Sequence, residues 1–145
     1  MGKILRSPYP HCKIKSIDTS KAEKLPGVFG VLTHHDVPQN DWENAWFNYR
    51  GKVLDGIGRF VGDDIAAVAA ISEEVAEQAL ELIEVEYELL DSVFDYEEAR
   101  KKNAPQIRSE GNERDAYKVF WGDVEKGRSE AEVNVECDIK YESQQ

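Results

Sequence analysis

The sequence contains few cysteines, few basic residues and no long apolar run. Only Cys12 and Cys137 occur, far apart and outside any C-x-x-C pair, so the chain lacks the ligands for a disulfide framework, a cysteine zinc site or an iron–sulfur cluster. Lys and Arg number 18 against 29 Asp and Glu, which gives a net charge of −11. Because phosphate backbones and anionic lipids are bound by clustered bases, this balance argues against nucleic acid and membrane surfaces as partners.

Signals for membrane insertion, export and lipidation are also missing. No apolar stretch reaches the length of about 18 residues expected of a membrane helix, and the start of the chain, MGKILRSPYP, lacks the apolar core of a secretion signal. A myristoylation site needs Ser or Thr at the sixth position, where Arg6 stands. We therefore expect a protein of the reducing cytoplasm.

The residues that are present suffice for one folded domain. Hydrophobic residues make up 41% of the chain and include three tryptophans, which is enough for a core at this length. The first third predicts a strand, a short helix and a buried second strand, at 13–17, 21–25 and 28–33. Ser20 and Glu23 have the spacing of a capping box, so we expect Ser20 to cap the helix.

Residues 39–58 show neither a helical nor a strand period and predict a long loop. Such loops are uncommon beyond about 12–15 residues unless they have a function. Trp42, Trp46 and Phe47 are expected to anchor this one. Two interpretations remain open: the aromatic residues pack on their own domain, or they form a docking surface for another domain or subunit.

The clearest pattern is a strand–helix–strand unit. Residues 65–71, IAAVAAI, predict a buried strand, Ser72 caps a helix over about 73–82, and 83–89 alternate between apolar residues and glutamates. The apolar stripe of the helix has helical spacing and consists of Val75, Ala76, Ala79, Leu80 and Ile83. If the two strands are parallel neighbours in one sheet, the crossover between them is right-handed.

The end of the chain is predicted to form a separate region. Asp95 and Glu98 open another short helix by the same capping logic, and from 103 the chain is polar and irregular. The final alternation, EVNVECDIKYE, predicts a strand whose apolar face holds Val133, Val135, Cys137, Ile139 and Tyr141. Such a strand suits either a natural end or a junction between domains. We expect one domain over 1–102, and a linker with a terminal strand over 103–145.

The segment GIGRFVGDD contains the first candidates for ligand binding. Gly56, Gly58 and Gly62 give G-x-G-x-x-x-G, but the dinucleotide fingerprint is one residue shorter and needs a strand before it and a helix after it to hold the pyrophosphate. Asp63 and Asp64 could start a cation site, yet the further oxygen ligands of a calcium loop are missing. We interpret the segment as a turn with glycine at positive φ that leads into the buried strand.

An acidic helix face is the second candidate. Glu73, Glu77 and Glu81 share one face, but a carboxylate di-iron site also needs a Glu-x-x-His motif, which the sequence lacks. A solvated face is the simpler interpretation, and a surface for a basic partner is the alternative.

Histidine and serine provide the remaining candidates. The pairs His11–Cys12 and His34–His35 chelate one ion poorly, because adjacent residues on a strand point to opposite faces. Ser7, His11 and an aspartate could form a triad, but no G-x-S-x-G elbow exposes the serine. We therefore assign no residue a catalytic, cofactor-binding or metal-binding role.

Three stretches, 2–38, 59–99 and 122–136, nevertheless resemble a known family. They contain the runs SPYPH, LPGV, VGD and IEVEYE in the same order. Together these resemble the α/β-hammerhead domain at the front of the large, molybdopterin-binding subunit of the xanthine dehydrogenase and aldehyde oxidase family. Residues 39–58 match least. The resemblance implies an α+β hammerhead fold with a mixed sheet, one main helix over about 73–82 and shorter helices.

The resemblance also implies a parent enzyme that hydroxylates an aldehyde or a nitrogen heterocycle at a molybdenum cofactor. Electrons would leave through iron–sulfur clusters, often to FAD, on other domains or subunits. The family's cofactor-binding segments and catalytic glutamate lie beyond residue 145, so we expect this chain to bind no cofactor and to be inactive alone. Its expected role is structural, packing against the molybdopterin-binding domain. A stand-alone acidic interaction module is the alternative, and a small independent enzyme that uses the glycine segment is a third hypothesis.

Overall fold

The computed structural model describes residues 1–44, 49–113, 119 and 121–139. The chain divides into two compact units, Met1–Glu113 and Arg114–Gln145. The strands are β1 (Gly2–Arg6), β2 (Cys12–Asp18), β3 (Val28–Leu32), β4 (Trp42–Asn44), β5 (Tyr49–Gly51), β6 (Ile57–Gly58), β7 (Asp64–Ala70) and β8 (Glu84–Leu89). The helices are α1 (Ser20–Glu23), α2 (Glu73–Glu81), α3 (Tyr96–Ala99) and α4 (Val124–Glu130). No helix in the described part of the chain is long and apolar enough to cross a membrane.

The first sheet has the order β1-β7-β3, with both outer strands antiparallel to β7. One of its faces is covered by helices. Ala66, Val68 and Ala70 of β7 form a buried cluster with Ala76 and Ala79 of α2. The small side chains of both elements let the helix lie close to the sheet, and this cluster is the main core of the first unit.

Helix α2 begins and packs as its sequence predicts. The side chain of its N-cap residue, Ser72, accepts a hydrogen bond from the amide of Val75 at 3.3 Å. The predicted apolar stripe faces the core. On the acidic face, the ammonium group of Lys3 lies 2.5 Å from Glu73 and 3.0 Å from Glu77. These two carboxylates raise the pKa of Lys3 above its usual value, and the lysine offsets the repulsion between the glutamates.

The second sheet has the order β6-β2-β8, and its ladders are also antiparallel. Strand β8 therefore lies in a different sheet from β7, and the hypothesis of parallel neighbours joined by a right-handed crossover is wrong. Opposite charges face each other across the ladder of β2 and β8. Lys13 is directly opposite Glu88, and Lys15 lies 3.7 Å from Glu86. Opposite charges in register stabilise an antiparallel pair.

The predicted start of the short helix in the first third needs correction. Helix α1 has Thr19 rather than Ser20 at its N-cap. The carboxylate of Asp18 accepts the amide of Ser20 at 2.9 Å, and the hydroxyl of Thr19 donates to Glu23 at 2.6 Å. The first helical turn therefore begins one residue earlier than the capping-box spacing indicates.

The predicted long loop contains secondary structure. Strands β4 and β5 pair as a hairpin, and β6 follows before the glycine turn. Trp42 is 45% exposed, whereas the predicted anchors Trp46 and Phe47 lie outside the described residues. Period analysis misses these strands because they are only two or three residues long.

The second unit differs from its prediction. Helix α4 begins at an N-cap aspartate, Asp123, whose side chain accepts from the amide of Lys126 at 3.0 Å. The predicted terminal strand is not formed over 132–139, the part of it that the structure describes. The physical reason is that a strand needs a hydrogen-bonded neighbour, and none of the described ladders includes this segment. In contrast, the predicted helix at Asp95 is confirmed as α3, with Asp95 accepting from the amides of Glu97 and Glu98.

Candidate functional site

The glycine segment forms a turn that is hydrogen-bonded to Ser7, the residue after β1. Gly62 has φ +97°, a conformation that favours glycine. Its amide donates to the carbonyl oxygen of Ser7 at 2.8 Å, and the amide of Ser7 donates to the carbonyl oxygen of Asp63 at 2.8 Å. The predicted turn with glycine at positive φ is confirmed at this position.

The other two glycines of the motif do not have positive φ. A Cβ atom on Gly58 would lie 3.0 Å from Sγ of Cys12 and 3.2 Å from Oγ of Ser7, so close packing favours glycine there. A Cβ atom on Gly56 would lie 3.4 Å from the ring of His34, an ordinary contact that does not require glycine. The motif therefore combines two separate requirements for a missing side chain, at Gly58 and Gly62, and the sequence alone does not distinguish them.

Four amides of the turn already have hydrogen-bond acceptors. The amides of Gly62 and Asp63 donate to the carbonyl oxygens of Ser7 and Phe60. The amides of Arg59 and Asp64 donate to the carboxylate of Asp63, at 2.8 and 3.1 Å. Because a phosphate cradle works through unpaired backbone N–H groups, these four amides do not contribute to one.

The two aspartates of the turn are also engaged. Besides the contacts of Asp63, one carboxylate oxygen of Asp64 accepts from the guanidinium of Arg6 at 2.6 Å, and the same nitrogen donates to the carbonyl oxygen of Gly62 at 2.7 Å. Arg6, the last residue of β1, therefore links this strand to the turn through both hydrogen bonds. Among the described residues there is no group of three His, Cys, Asp or Glu side chains suited to a metal ion.

The residues considered for a triad lie in separate hydrogen-bonding environments. Ser7 is buried, and its hydroxyl donates to the carbonyl oxygen of Tyr9 at 2.9 Å while accepting the amide of Tyr9 at 3.1 Å. Nδ1 of the buried His11 lies 2.6 Å from the carbonyl oxygen of Asp91. The structure brings Ser7 to Cys12, at 3.4 Å, and makes both structural.

The second histidine pair forms a stacked contact. The rings of His34 and His35 have centroids 3.9 Å apart and are tilted by 39°. Nδ1 of His34 is buried and has no hydrogen-bond partner within the described ranges. Burial, followed by the neighbouring His35, lowers the pKa of His34 below its usual value. The lowered pKa favours the neutral form of this ring.

A polar cleft lies between the hairpin, the glycine turn and the segment around 108. It consists of two cavities of about 420 and 480 Å³, which share the lining residues Gly51, Lys52, Asp55, Arg59 and Arg108. The guanidinium of Arg59 lies 2.8 Å from the carboxylate of Asp55, and Lys52 approaches the same carboxylate at 4.0 Å. Sequence analysis missed this pair, although its i, i+4 spacing was a usable signal.

The remaining feature is the uncovered face of the first sheet. Paired residues of an antiparallel ladder point to the same side, so this face, here named the open sheet face, consists of Gly2, Ile4, Gly30, Leu32, Ala67 and Ala69. None of these six is charged, although the chain carries 47 Lys, Arg, Asp and Glu residues, the sum of 18 and 29. The next residue of β1 on this side, Arg6, is charged and pairs with Asp64 at the end of the strand. Ile4 is 37% and Leu32 49% exposed, and Phe29, in the neighbouring bulge, is 74% exposed.

The open sheet face has the composition of a docking surface rather than of a solvated one. An antiparallel sheet that faces water normally alternates apolar and polar positions, and β7 instead presents alanines on this side. Glycine and alanine leave room for a neighbouring element to approach the backbone closely. The signal in the sequence was the run IAAVAAI, which is apolar on both faces of one strand.

Comparisons with known proteins give one consistent result. The family model described as aldehyde oxidase and xanthine dehydrogenase, a/b hammerhead domain, matches residues 1–91. The chain is 45% identical over 128 residues to a probable xanthine dehydrogenase component of Bacillus subtilis (strain 168), an alignment that covers 87% of this chain and 17% of that protein. It is 32% identical over 133 residues to the nicotinate dehydrogenase large molybdopterin subunit of Eubacterium barkeri, covering 92% of this chain and 31% of that protein.

A solved structure agrees with these relatives. The reconstituted CO dehydrogenase from Oligotropha carboxidovorans superposes on the chain with a TM-score of 0.70 and 41% identity, covering 75% of this chain and 14% of that one. The chain thus spans less than a third of the length of each of these three proteins.

Proposed function

Because the chain belongs to the aldehyde oxidase and xanthine dehydrogenase family, matching its hammerhead domain, we propose that it is the hammerhead part of the large subunit of a molybdenum hydroxylase. The family membership and the α+β hammerhead fold inferred from the sequence are confirmed. We propose an architectural role: the domain packs against the region that binds molybdopterin and helps to define the interface between them.

The open sheet face is the observation that carries this proposal. Its six residues offer no charge, acid, base or nucleophile, so their chemistry suits packing and not catalysis. An apolar occupant suits these six uncharged residues, because a charged element placed against them would lose its hydration without gaining a partner. We therefore assign this face to an apolar element of the molybdopterin-binding region.

The cofactors belong elsewhere in the proposed enzyme. When bound, a molybdopterin cofactor supplies the oxidation–reduction chemistry. We place molybdopterin on the rest of the large subunit, because the matched region covers only 17% and 31% of two relatives, and we place the iron–sulfur clusters and FAD on other domains or subunits. The free thiols of Cys12 and Cys137 suit the cytoplasm that we propose for the assembly.

The experiment is a matched pair of substitutions in the full large subunit. Ala69→Glu puts a charge on the open sheet face, whereas Gln78→Glu puts the same side chain on the exposed surface of α2. Both positions are exposed in this chain, so each variant of the 145-residue chain should keep its melting temperature to within a few degrees. In the full subunit, only Ala69→Glu should lower the molybdenum content per subunit, measured by mass spectrometry of the metal.

Equal molybdenum content in the two variants would contradict the proposal. The open sheet face would then be free in the assembled protein, and the alternative of a stand-alone acidic interaction module would gain support.

A further inference from the structure

Residues 132–139 carry the pattern of a β-strand but belong to no sheet among the described residues. Alternate positions hold Val133, Val135, Cys137 and Ile139. Val133 is 76%, Val135 87% and Ile139 66% exposed, and Cys137 is exposed as well. Strict alternation of apolar and polar residues is useful only where one face of a strand is buried. The side chains are therefore arranged for a contact that the described part of the chain does not make.

The chain leaves helix α4 in an extended conformation. The C-cap residue, Ala131, has φ −72° and ψ 134°, in the extended region. The side-chain amide of Asn134 donates to the carbonyl oxygen of Arg128 at 3.1 Å and thereby caps the end of the helix. The chain is consequently directed out of the helix in an extended form, which lowers the conformational entropy that pairing would remove.

The two sides of the segment differ in charge. The side opposite the apolar residues consists of Glu132, Asn134, Glu136 and Asp138. In an antiparallel or parallel ladder, residues on the same side of neighbouring strands lie close enough for opposite charges to stabilise the pair and for like charges to destabilise it. A suitable neighbour is therefore a strand that is apolar on one side and basic on the other.

We propose that residues 132–139 complete a sheet of the molybdopterin-binding region by pairing with an edge strand that alternates apolar and basic residues. This inference rests on the proposed function, because it needs the remainder of the large subunit. The length of a relative supports this choice of neighbouring strand. The matched region covers 17% of the Bacillus subtilis protein, so 83% of that protein lies outside it. A second copy of this chain suits the segment poorly, because self-pairing places acidic residues opposite acidic residues.

The test is hydrogen exchange at single-residue resolution on two proteins, the 145-residue chain and the full large subunit. In the isolated chain, the amides of 132–139 should exchange at the rate of an unstructured peptide. In the full subunit, alternate amides should exchange at least about tenfold more slowly, since every second N–H of an edge strand points to its neighbour.

A matched pair of variants tests the proposed neighbouring strand. Val135→Asp places a charge on the apolar side, and Asn134→Asp places the same charge on the acidic side. Both positions are exposed, so the melting temperature of the isolated chain should stay the same in both. In the full subunit, only Val135→Asp should abolish the protection of 132–139.

The outcomes separate this inference from the proposed function. Fast exchange of 132–139 in a full subunit that contains molybdenum would overturn the strand pairing and leave the architectural role intact. Protection in the isolated chain that increases with its concentration would make a second copy the occupant and overturn the assignment. A gene without any molybdopterin-binding continuation or neighbour would overturn both.

Discussion

The amide of Gly62 donates to the carbonyl oxygen of Ser7 at 2.8 Å, and this bond joins the end of β1 to the turn that leads into β7. The two strands are neighbours in the first sheet, so the turn sets where their ladder ends. The geometry requires Gly62 to adopt φ +97°, and this requirement can be tested directly.

Replacing Gly62 by valine should destabilise the fold by about 1–3 kcal/mol, the cost of holding a side chain in a left-handed conformation. No neighbouring atom lies within 4 Å of a Cβ atom at Gly62, so the loss would come from the backbone and not from a clash. The measurement is the free energy of unfolding in urea. Gly30→Val is the matched control, because Gly30 also has open space around its Cβ position but no positive φ. An equal loss in both variants would contradict the turn.

Replacing Ala79 by aspartate should unfold the first unit or cost several kcal/mol. Ala79 is fully buried between α2 and the first sheet, and an unpaired carboxylate at such a position loses its hydration. Gln78→Asp provides the same side chain at an exposed position of the helix, where we expect a change within about 0.5 kcal/mol. Circular dichroism during thermal unfolding distinguishes the two. A stable Ala79→Asp variant would show that another face of α2 is buried.

Replacing Asp55 by asparagine should cost about 1.5–3 kcal/mol, the usual worth of a hydrogen bond to a charged group. Asp55 and Arg59 are 2.8 Å apart, with side chains only 18% and 22% exposed, and Nε of Arg59 is buried without a partner within the described ranges. Glu113→Gln breaks the equally short contact with Arg100, where both side chains are 65% exposed. That control should lose less than about 1 kcal/mol in the same urea titration.

The stability of the fold should depend on pH through His34. Burial lowers the pKa of His34 below the ordinary 6.5, so near that pH the unfolded chain binds more protons than the folded one. The contribution of His34 is therefore fully present above pH 6.5 and is lost as the pH falls through the lowered pKa of the folded state. The free energy of unfolding of the unmodified chain should decrease between pH 7 and pH 5, a range that includes the ordinary histidine pKa of about 6.5. In His34→Gln, the free energy of unfolding should decrease less steeply over the same range. Identical slopes would contradict the buried, neutral ring.

The sequence predicted those parts of the fold that depend on local patterns. The cap at Ser72, the stripe on α2 and the alternation of β8 each involve residues close together in the chain, and all three predictions are confirmed. The pairing of strands could not be predicted in this way. It depends on contacts between distant residues, such as Lys13 with Glu88.

In the candidate site too, local sequence patterns predict some features, and other features depend on contacts between distant residues. The need for positive φ at Gly62 follows from a short turn before an apolar run, but the need for glycine at Gly58 comes from the thiol of Cys12, which is remote in the sequence. The open sheet face could not be predicted for the same reason, because it exists only once β1 and β3 lie on either side of β7. From composition alone, an alanine is expected in the core, and this expectation includes the alanines that the structure places on the surface.

The pairing of β1 with β7, and of β2 with β8, also determines when the protein can fold during its synthesis. Gly2 is opposite Ala69, and Cys12 is opposite Leu89. Strands β1 and β2 are therefore translated well before the strands with which they pair. Because loop closure over such distances precedes any gain from the contacts, folding should be slow, on a scale of milliseconds to seconds. During that interval the nascent chain exposes the apolar residues of both strands, and it is then that it is most prone to aggregate.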